Sequence, residues 1–148
     1  MAVETINIDL VLRSDYKSTP GAVKVSVNDT LLFHGKLTQP VTKIRETVTL
    51  DLLATHTLTI DRYHKPDNDP DQMIVIDYVA IDDINIRDLA WHTSVFYPQY
   101  PEPWASEQRE LGIELEDSII GETWLGHNGK WNFEFTSPFY KFLISKVR

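Results

Sequence analysis

The feature that most constrains this chain is the alternation of apolar and polar residues through its first 87 positions. Residues 6–12 read INIDLVL, and residues 23–27 read VKVSV. A period of two places successive side chains on opposite faces of a strand, one face buried and one in water. No helical period competes in this half. The sequence therefore predicts an all-β fold, an antiparallel β-sandwich with about six strands within residues 3–88.

A polar loop interrupts the alternation inside the central stretch, Leu58–Arg87. Pro66 and Pro70 stop regular pairing there, because proline has no amide hydrogen to donate. In the strand-like run after the loop, apolar residues occupy alternate positions, but these positions shift by one residue and later shift back. We place the shift at Asp82–Asp83. We interpret this change as a β-bulge at Asp82–Asp83. A strand buried on both faces is the alternative.

The polar loop is also a candidate metal site, because its aspartates occur at alternate positions. Calcium binds several oxygen ligands in flexible geometry. The loop is not a helix–loop–helix calcium motif, since the glycine and glutamate that this motif requires are absent. A solvated turn, in which Asp and Asn side chains cap backbone amides, is the alternative. The predicted calcium ligands are Asp67, Asp69, Asp71 and Asp77.

The length and the net charge of the chain limit the classes of function that it can have. At 148 residues, the chain is predicted to form one domain spanning residues 1–148. Its net charge of -8 disfavours binding to nucleic acid or to an anionic membrane. It has no cysteine, no apolar run of transmembrane length and no pattern of a secretory signal peptide. We therefore expect synthesis in the cytoplasm, without a signal peptide.

Aromatic residues and prolines concentrate in residues 89–106, which we predict to be a long surface loop. Tyr and Trp combine an apolar face with a polar edge, which suits contacts with sugar rings or with a partner protein. The alternative is that these side chains only fix the loop onto the sandwich. Trp124 and Trp131 flank the predicted hairpin, and we expect core positions for both; exposure of Trp124, which would make it a further ligand candidate, is the alternative. The predicted ligand or interface residues are Trp91, Tyr97, Tyr100, Trp104 and Trp124.

The remaining residues, 107–148, are predicted to close the sandwich. Asn128-Gly129 is a strong hairpin signal, and the alternation in residues 131–135 predicts a strand after it. For residues 138–147 we favour a short C-terminal helix over a last strand, because proline suits the first helical turn and Phe139 and Phe142 would share a face.

Known catalytic patterns are missing from the sequence. It contains no G-x-S-x-G elbow, no phosphate-binding glycine loop and no histidine pair with the spacing of a zinc helix. Surface carboxylates such as Glu110 and Glu122 could in principle serve a glycoside hydrolase, but any acidic protein has such residues. We therefore predict a binding protein with no catalytic residues, not an enzyme.

Two resemblances add to this reading. The segments VKVSVND, LLFHGKL, HTLTIDRY and IVIDYVAIDDINI, within roughly Val23–Arg87, resemble jelly-roll carbohydrate-binding modules, including a calcium-dependent, xylan-binding group. That resemblance implies a jelly-roll sandwich and a glycan ligand. Residues 121–143, GETWLGHNGKWNFEFTSPFYKFL, are instead similar to small structural proteins of tailed bacteriophages. This second resemblance implies a decoration, neck, baseplate or fibre module of a virion.

Two functions follow from the sequence, both non-catalytic. The first is a virion structural module that assembles with other virion proteins or with itself through its aromatic segment and needs no cofactor. The alternative is a calcium-dependent glycan-binding module.

Overall fold

The alternating residues form two antiparallel sheets in the computed structural model, which describes residues 2–65 and 72–146. The strands are β1 (Val3–Asp15), β2 (Ala22–Val27), β3 (Thr30–Lys36), β4 (Val41–Asp51), β5 (Thr55–Tyr63), β6 (Met73–Ile81), β7 (Ile84–Asn85), β8 (Val95–Gln99), β9 (Ile119–Ile120) and β10 (Asn128–Thr136). The helices are α1 (Arg87–Thr93), α2 (Trp104–Glu110) and α3 (Phe139–Lys146). One sheet has the order β4-β1-β6-β7, and the other has the order β3-β2-β5-β10-β8-β9.

The core lies between the two sheets and is built from the apolar half of each alternating strand. In β1, the even-numbered residues from Ile6 to Leu12 are buried, while the odd-numbered residues between them are partly exposed. In the six-stranded sheet, the inward residues of β10 include Trp131 and Phe133, also fully buried. Burial of these side chains is the main favourable term in folding. The predicted antiparallel sandwich is confirmed.

The parity change in β6 has a different origin from the one predicted. The pairing of β1 with β6 shifts register so that Val11 faces Tyr78 while Leu12 faces Ile76. Asp77 is therefore the extra, bulged residue. The predicted bulge at Asp82–Asp83 is wrong. These two aspartates form the tight turn between β6 and β7, with φ values of 51° and 63°, a conformation that Asp tolerates and that suits a two-residue hairpin.

The aromatic segment is more regular than the predicted loop over residues 89–106. It contains most of α1, the whole of β8 and the start of α2. Strand β8 pairs with β10 on one side and with β9 on the other, although it includes Pro98. Pro98 lies opposite Gly129, where the two backbones come so close that a Cβ on Gly129 would lie 2.3 Å from the Tyr97 carbonyl oxygen. Because Gly129 has no side chain, β8 can come close enough to pair with β10 even though it contains Pro98.

The same contact corrects the predicted hairpin at Asn128-Gly129. Both residues belong to the first part of β10. Gly129 has a φ of 147°, and its missing side chain accommodates β8 rather than a turn. The Asn-Gly pair, which is typical of a hairpin turn, here reflects the close approach of two neighbouring strands.

The predicted C-terminal helix is confirmed as α3. Phe139 and Phe142 point into the sandwich, where their rings lie 5.8 Å from Phe135 and 6.1 Å from Phe133 respectively. Helix α3 thus closes one end of the core. Within the described ranges, no helix has the length and apolar character needed to cross a membrane.

Candidate ligand-binding site

Three aromatic rings meet where β8 ends and β10 begins. Gln99 pairs with Asn128 in the last step of the ladder, so the next residues outward, Tyr100 and His127, come together. Their ring centroids are 4.9 Å apart. Trp104, the first residue of α2, lies 5.4 Å from His127 and 6.0 Å from Tyr100. We call Tyr100, Trp104 and His127 the aromatic cluster.

Hydrogen bonds fix the position of Tyr100 and the start of α2. The Tyr100 hydroxyl donates to the carbonyl oxygen of Glu116 at 2.7 Å. Burial raises the pKa of this hydroxyl, and the carboxylates of Glu116 and Asp117 raise it further. Glu102 accepts hydrogen bonds from the hydroxyl and the backbone amide of Ser106, which lower the pKa of its carboxyl group.

The environment of His127 favours the neutral form of its imidazole. Burial lowers the pKa of its imidazole below the ordinary value of 6.5, and the positive charges of Lys65 and Arg62 lower it further. The imidazole meets Tyr100 edge to face at an interplanar angle of 74° and Trp104 at 42°. Trp104 remains 37% exposed, so the cluster offers one aromatic surface to solvent.

Residues on both sides of the predicted calcium loop are hydrogen-bonded, directly or through Arg62, to the segment that carries His127. The backbone amide of Lys65 donates to the side-chain oxygen of Asn128 at 2.9 Å, and its ammonium donates to the Gly126 carbonyl at 2.6 Å. Gln72, the first described residue after the loop, accepts two hydrogen bonds from buried Arg62 at 2.9 and 2.7 Å. Arg62 also donates to the carbonyl of Leu125. Lys65, before the loop, therefore contacts the segment that carries His127 directly, whereas Gln72, after the loop, is linked to Leu125 in that segment through Arg62.

Of the four predicted metal ligands, one lies among the described residues. Asp67, Asp69 and Asp71 lie outside the described residues. Asp77 is the bulged residue of β6, and its carboxylate lies 3.2 Å from the Nε of Arg13. In the part of the chain that the structure describes, no three His, Asp or Glu side chains are grouped to hold a metal ion. The calcium site stays a prediction.

The other predicted aromatic candidates occupy separate surfaces. Trp91 lies on α1, is 47% exposed and contacts the Arg87 guanidinium at 5.9 Å. Trp124 is 56% exposed and bridges to Val75 on β6, so the core position expected for it is wrong, whereas Trp131 is buried as expected. Tyr97 is 48% exposed on β8, opposite Lys130. Only Tyr100 and Trp104 of the five predicted residues join the cluster.

Sequence reasoning missed His127 as a cluster member. Its ring contacts come from a segment more than twenty positions earlier, and the local sequence GHNGK suggested a turn. The only usable signal was the strand alternation after it, which would have placed His127 at a strand end.

Comparison with known proteins establishes the fold. No protein-family model and no curated protein matches the sequence. Among solved structures, the carbohydrate-binding module vCBM60 in complex with galactobiose is similar, with a TM-score of 0.54 and 16% identity over 86% of this chain and 96% of that chain. The selenomethionine form of vCBM60 gives a TM-score of 0.54 and 15% identity over 86% of this chain and 89% of that one.

That second structure is described through a circular permutation linking two families of calcium-dependent carbohydrate-binding modules. The chain therefore shares the β-sandwich fold of these modules. Neither structure is described as a phage protein, so the resemblance of residues 121–143 to phage structural proteins stays a prediction.

Proposed function

We propose that this protein is a non-catalytic glycan-binding module and that the aromatic cluster contacts the sugar. The observation that carries the proposal is the partly exposed indole of Trp104, which packs against the rings of Tyr100 and His127. The shared fold with vCBM60, which is described in complex with galactobiose, supports the same ligand class.

The chemistry of the cluster suits a sugar ring. A pyranose has apolar C–H faces and a polar rim, and an indole has an apolar face with a polar N–H edge. Stacking on Trp104 would remove apolar surface from water on both partners. The charged groups of Lys65 and Glu102 lie beside the cluster and would contribute polar contacts at the rim.

The cluster is also preorganised. The Tyr100 hydroxyl is held by its hydrogen bond to the carbonyl oxygen of Glu116. Ala105, in the first turn of α2, is only 2% exposed, so this turn is packed against the protein interior. A site whose side chains are already ordered loses little conformational entropy when a ligand binds. This favours binding by a small contact surface, as expected for an oligosaccharide.

Calorimetric titration with galactobiose, xylobiose and cellobiose tests the proposal on the intact chain and on Trp104→Ala. We expect binding of at least one sugar and an affinity loss of about tenfold or more in Trp104→Ala. Trp124→Ala is the matched control, because Trp124 is an exposed tryptophan at the edge of the other sheet. Absence of sugar binding, or equal losses in the two variants, would contradict the proposal.

We also propose that this binding depends on calcium held by Asp67, Asp69 and Asp71. Three carboxylates at alternate positions suit the oxygen preference of calcium. Lys65, before their loop, bonds to Asn128 beside the cluster, and Gln72, after the loop, is linked to Leu125 through Arg62. Asp77 is not part of the proposed set, because its carboxylate pairs with Arg13.

Chelation of calcium should lower both the melting temperature and the sugar affinity, since a ligand of the native state raises its stability. Asp69→Asn should reproduce the chelator effect, whereas Asp83→Asn, in the exposed turn after β6, should not. Unchanged melting and affinity in chelator would overturn the calcium proposal and leave the sugar proposal intact.

A further inference from the structure

The end of the sandwich that α3 closes carries exposed apolar side chains. Tyr140 and Ile144 are 58% and 60% exposed, and residues four apart lie on the same face of a helix. Lys141, exposed between them, also lines a groove of about 340 Å³ together with Leu53 and Pro138. The helix face and the groove therefore form one surface, which we call the α3 surface.

Leu53 is the most exposed large apolar side chain among the described residues, at 90%. Its φ of 61° lies in the left-handed region, which Gly or Asn adopts with less strain than a bulky residue. The amide of Leu53 donates to the carbonyl oxygen of Ser137 at 2.8 Å, so this turn is fixed to the residue just before α3. The core gains nothing from the Leu53 side chain, whereas contact with another molecule would bury it.

The charge on α3 is positive. The helix contains Lys141 and Lys146 and no acidic residue, although the whole chain has a net charge of -8. The nearby carboxylate of Glu4 is already occupied by hydrogen bonds from Ser137 and Phe139. A partner that fits the α3 surface should therefore present apolar side chains together with carboxylates.

A surface of that kind follows α2 in the same chain. Leu111 and Ile113 are 74% and 47% exposed. The amide of Ile113 donates to the carbonyl oxygen of Gln108 at 3.0 Å, and Gly112, with a φ of 81°, ends the helix, so the two apolar residues lie in one ordered turn. Residues 107–117, which we call the acidic turn, contain one arginine and five acidic residues: Glu107, Glu110, Glu114, Glu116 and Asp117.

The α3 surface and the acidic turn lie at opposite ends of β10. The start of β10 is near both ends of the segment that contains the acidic turn, because Trp104 packs on His127 and the Tyr100 hydroxyl bonds to the carbonyl oxygen of Glu116. Helix α3 follows the other end of β10. The nine residues of β10 span about 26 Å at the rise of a β-strand. One molecule therefore cannot bring its own two surfaces together.

Two copies of the chain fit head to tail, not symmetrically. Two α3 surfaces would place lysine against lysine, and two acidic turns would place carboxylate against carboxylate. The α3 surface against the acidic turn instead pairs opposite charges around an apolar centre, as protein interfaces do. Such a contact leaves one surface of each kind available, so association can continue.

We propose that this protein self-associates head to tail, with the α3 surface of one copy docked on the acidic turn of the next. The partner is therefore a second copy of this chain. The contact buries Leu53, Tyr140 and Ile144 of one copy against Leu111 and Ile113 of the other. This inference does not depend on sugar binding.

Light scattering of the intact protein over a concentration series is the first test. We expect the weight-average mass to rise at least twofold between about 20 µM and about 1 mM at low salt. The rise should be smaller in about 0.5 M salt, because salt screens exposed charges. A mass that stays that of the monomer across the whole series would overturn the proposal.

Two double variants test the direction of the contact. Leu53→Asn with Lys141→Gln alters the α3 surface and suits the left-handed backbone. Leu111→Ser with Glu110→Gln alters the acidic turn. Each variant alone should stay monomeric, and an equimolar mixture should form a dimer that grows no further, because each variant retains one unaltered surface. Restored association in the mixture also shows that both variants are folded.

Leu31→Ser with Lys43→Gln is the matched control, since Leu31 is 51% exposed on β3 and Lys43 is exposed on β4. This variant should associate as the intact protein does. Growth of either test variant alone, a mixture of folded variants that stays monomeric, or an equal loss in the control would contradict the proposal.

Cross-linking of the intact protein gives a result that needs no substitution. A carbodiimide joins a lysine directly to a carboxylate in contact with it. Peptide mapping of the cross-linked dimer should show Lys141 or Lys146 joined to residues 107–117, a bond that the length of β10 prevents within one copy. A dimer without this link would overturn the assignment of the two surfaces.

Discussion

Glu4, at the start of β1, accepts a hydrogen bond from the backbone amide of Phe139, the first residue of α3, with N–O distances of 3.1 Å to both carboxylate oxygens. The same carboxylate accepts the hydroxyl hydrogen of buried Ser137. The first turn of a helix has amides without intrahelical partners. A carboxylate there accepts hydrogen bonds from these amides, and its negative charge interacts favourably with the helix dipole. The first strand thus holds the last helix over the end of the core.

Glu4→Ala should therefore lower the free energy of unfolding by about 1–2 kcal/mol, the usual effect of losing a helix-capping side chain. Urea unfolding at neutral pH measures this difference. Glu46→Ala is the control, since Glu46 is exposed on β4 and no capping bond involves it among the described residues. Equal stability of Glu4→Ala and the control would show that the contact does not hold α3.

Arg62 should be far more important for stability than an exposed arginine. It is 1% exposed and donates to the carbonyls of Leu125 and Gln72. Arg62→Met would leave these buried acceptors without donors, and we expect a loss of about 3 kcal/mol. Arg13→Ala removes an ion pair whose side chains are 63% and 42% exposed, so its loss should stay below about 1 kcal/mol.

Chemical denaturation of the two arginine variants side by side measures this contrast. Arg62→Lys tests whether the positive charge alone is sufficient, because lysine keeps the charge but lacks the planar set of guanidinium donors. An Arg62→Met protein as stable as Arg13→Ala would contradict the assignment.

His127 should make stability depend on pH. Its pKa in the folded protein lies below the value of 6.5 expected in the unfolded chain, so the unfolded chain binds the proton more readily. The contribution of the neutral ring is complete above about pH 6.5 and is lost as the pH falls through the folded-state pKa.

Melting temperatures of the intact protein and of His127→Gln, measured between about pH 8 and about pH 5.5, check the sign. The stability advantage of the intact protein over His127→Gln should shrink as the pH falls. A constant or growing advantage would show that the imidazole is not held neutral by the fold.

Gly129 should tolerate no side chain. It has a φ of 147°, and an added Cβ would lie 2.3 Å from the Tyr97 carbonyl oxygen, so β8 would have to move away from β10. We expect Gly129→Ala to destabilise the protein by about 2 kcal/mol or more and to weaken sugar binding, because Tyr100 follows β8 and His127 precedes β10.

The matched substitution is Gly126→Ala, since an added Cβ at Gly126 meets no described atom within 4 Å. Thermal melting and sugar titration of both variants measure the difference. If Gly126→Ala were as harmful as Gly129→Ala, the close approach of β8 and β10 would not be the cause.

The sequence predicted the sandwich because a period of two is a local property that each strand carries by itself. It located a parity change in β6 but assigned it to Asp82–Asp83, since both a bulge and a turn interrupt alternation and only pairing with β1 distinguishes them. The bulge at Asp77 is defined by Val11 and Leu12, residues more than sixty positions away.

Two of the three residues of the aromatic cluster could be predicted from the sequence. Tyr100 and Trp104 were candidate ligand contacts, because they lie outside the strand alternation and combine an apolar face with a polar edge. Their partner His127 could not be identified, since its position depends on the pairing of β8 with β10. That pairing in turn requires a glycine opposite a proline, which no local pattern reveals.

The shortness of β9 has a consequence for how this protein behaves at high concentration. At that edge, the six-stranded sheet ends in two residues, Ile119 and Ile120. Gly121 follows with a φ of 77° and packs against the carbonyl of Trp91, which ends the strand. Among the described residues, β9 pairs with Val95 and Phe96 of β8, and the rest of β8 contains Pro98, which has no amide hydrogen to donate. A short edge interrupted in this way offers few unpaired amides and carbonyls to a strand from another molecule, so crowded molecules should remain separate along it instead of joining into a continuous sheet.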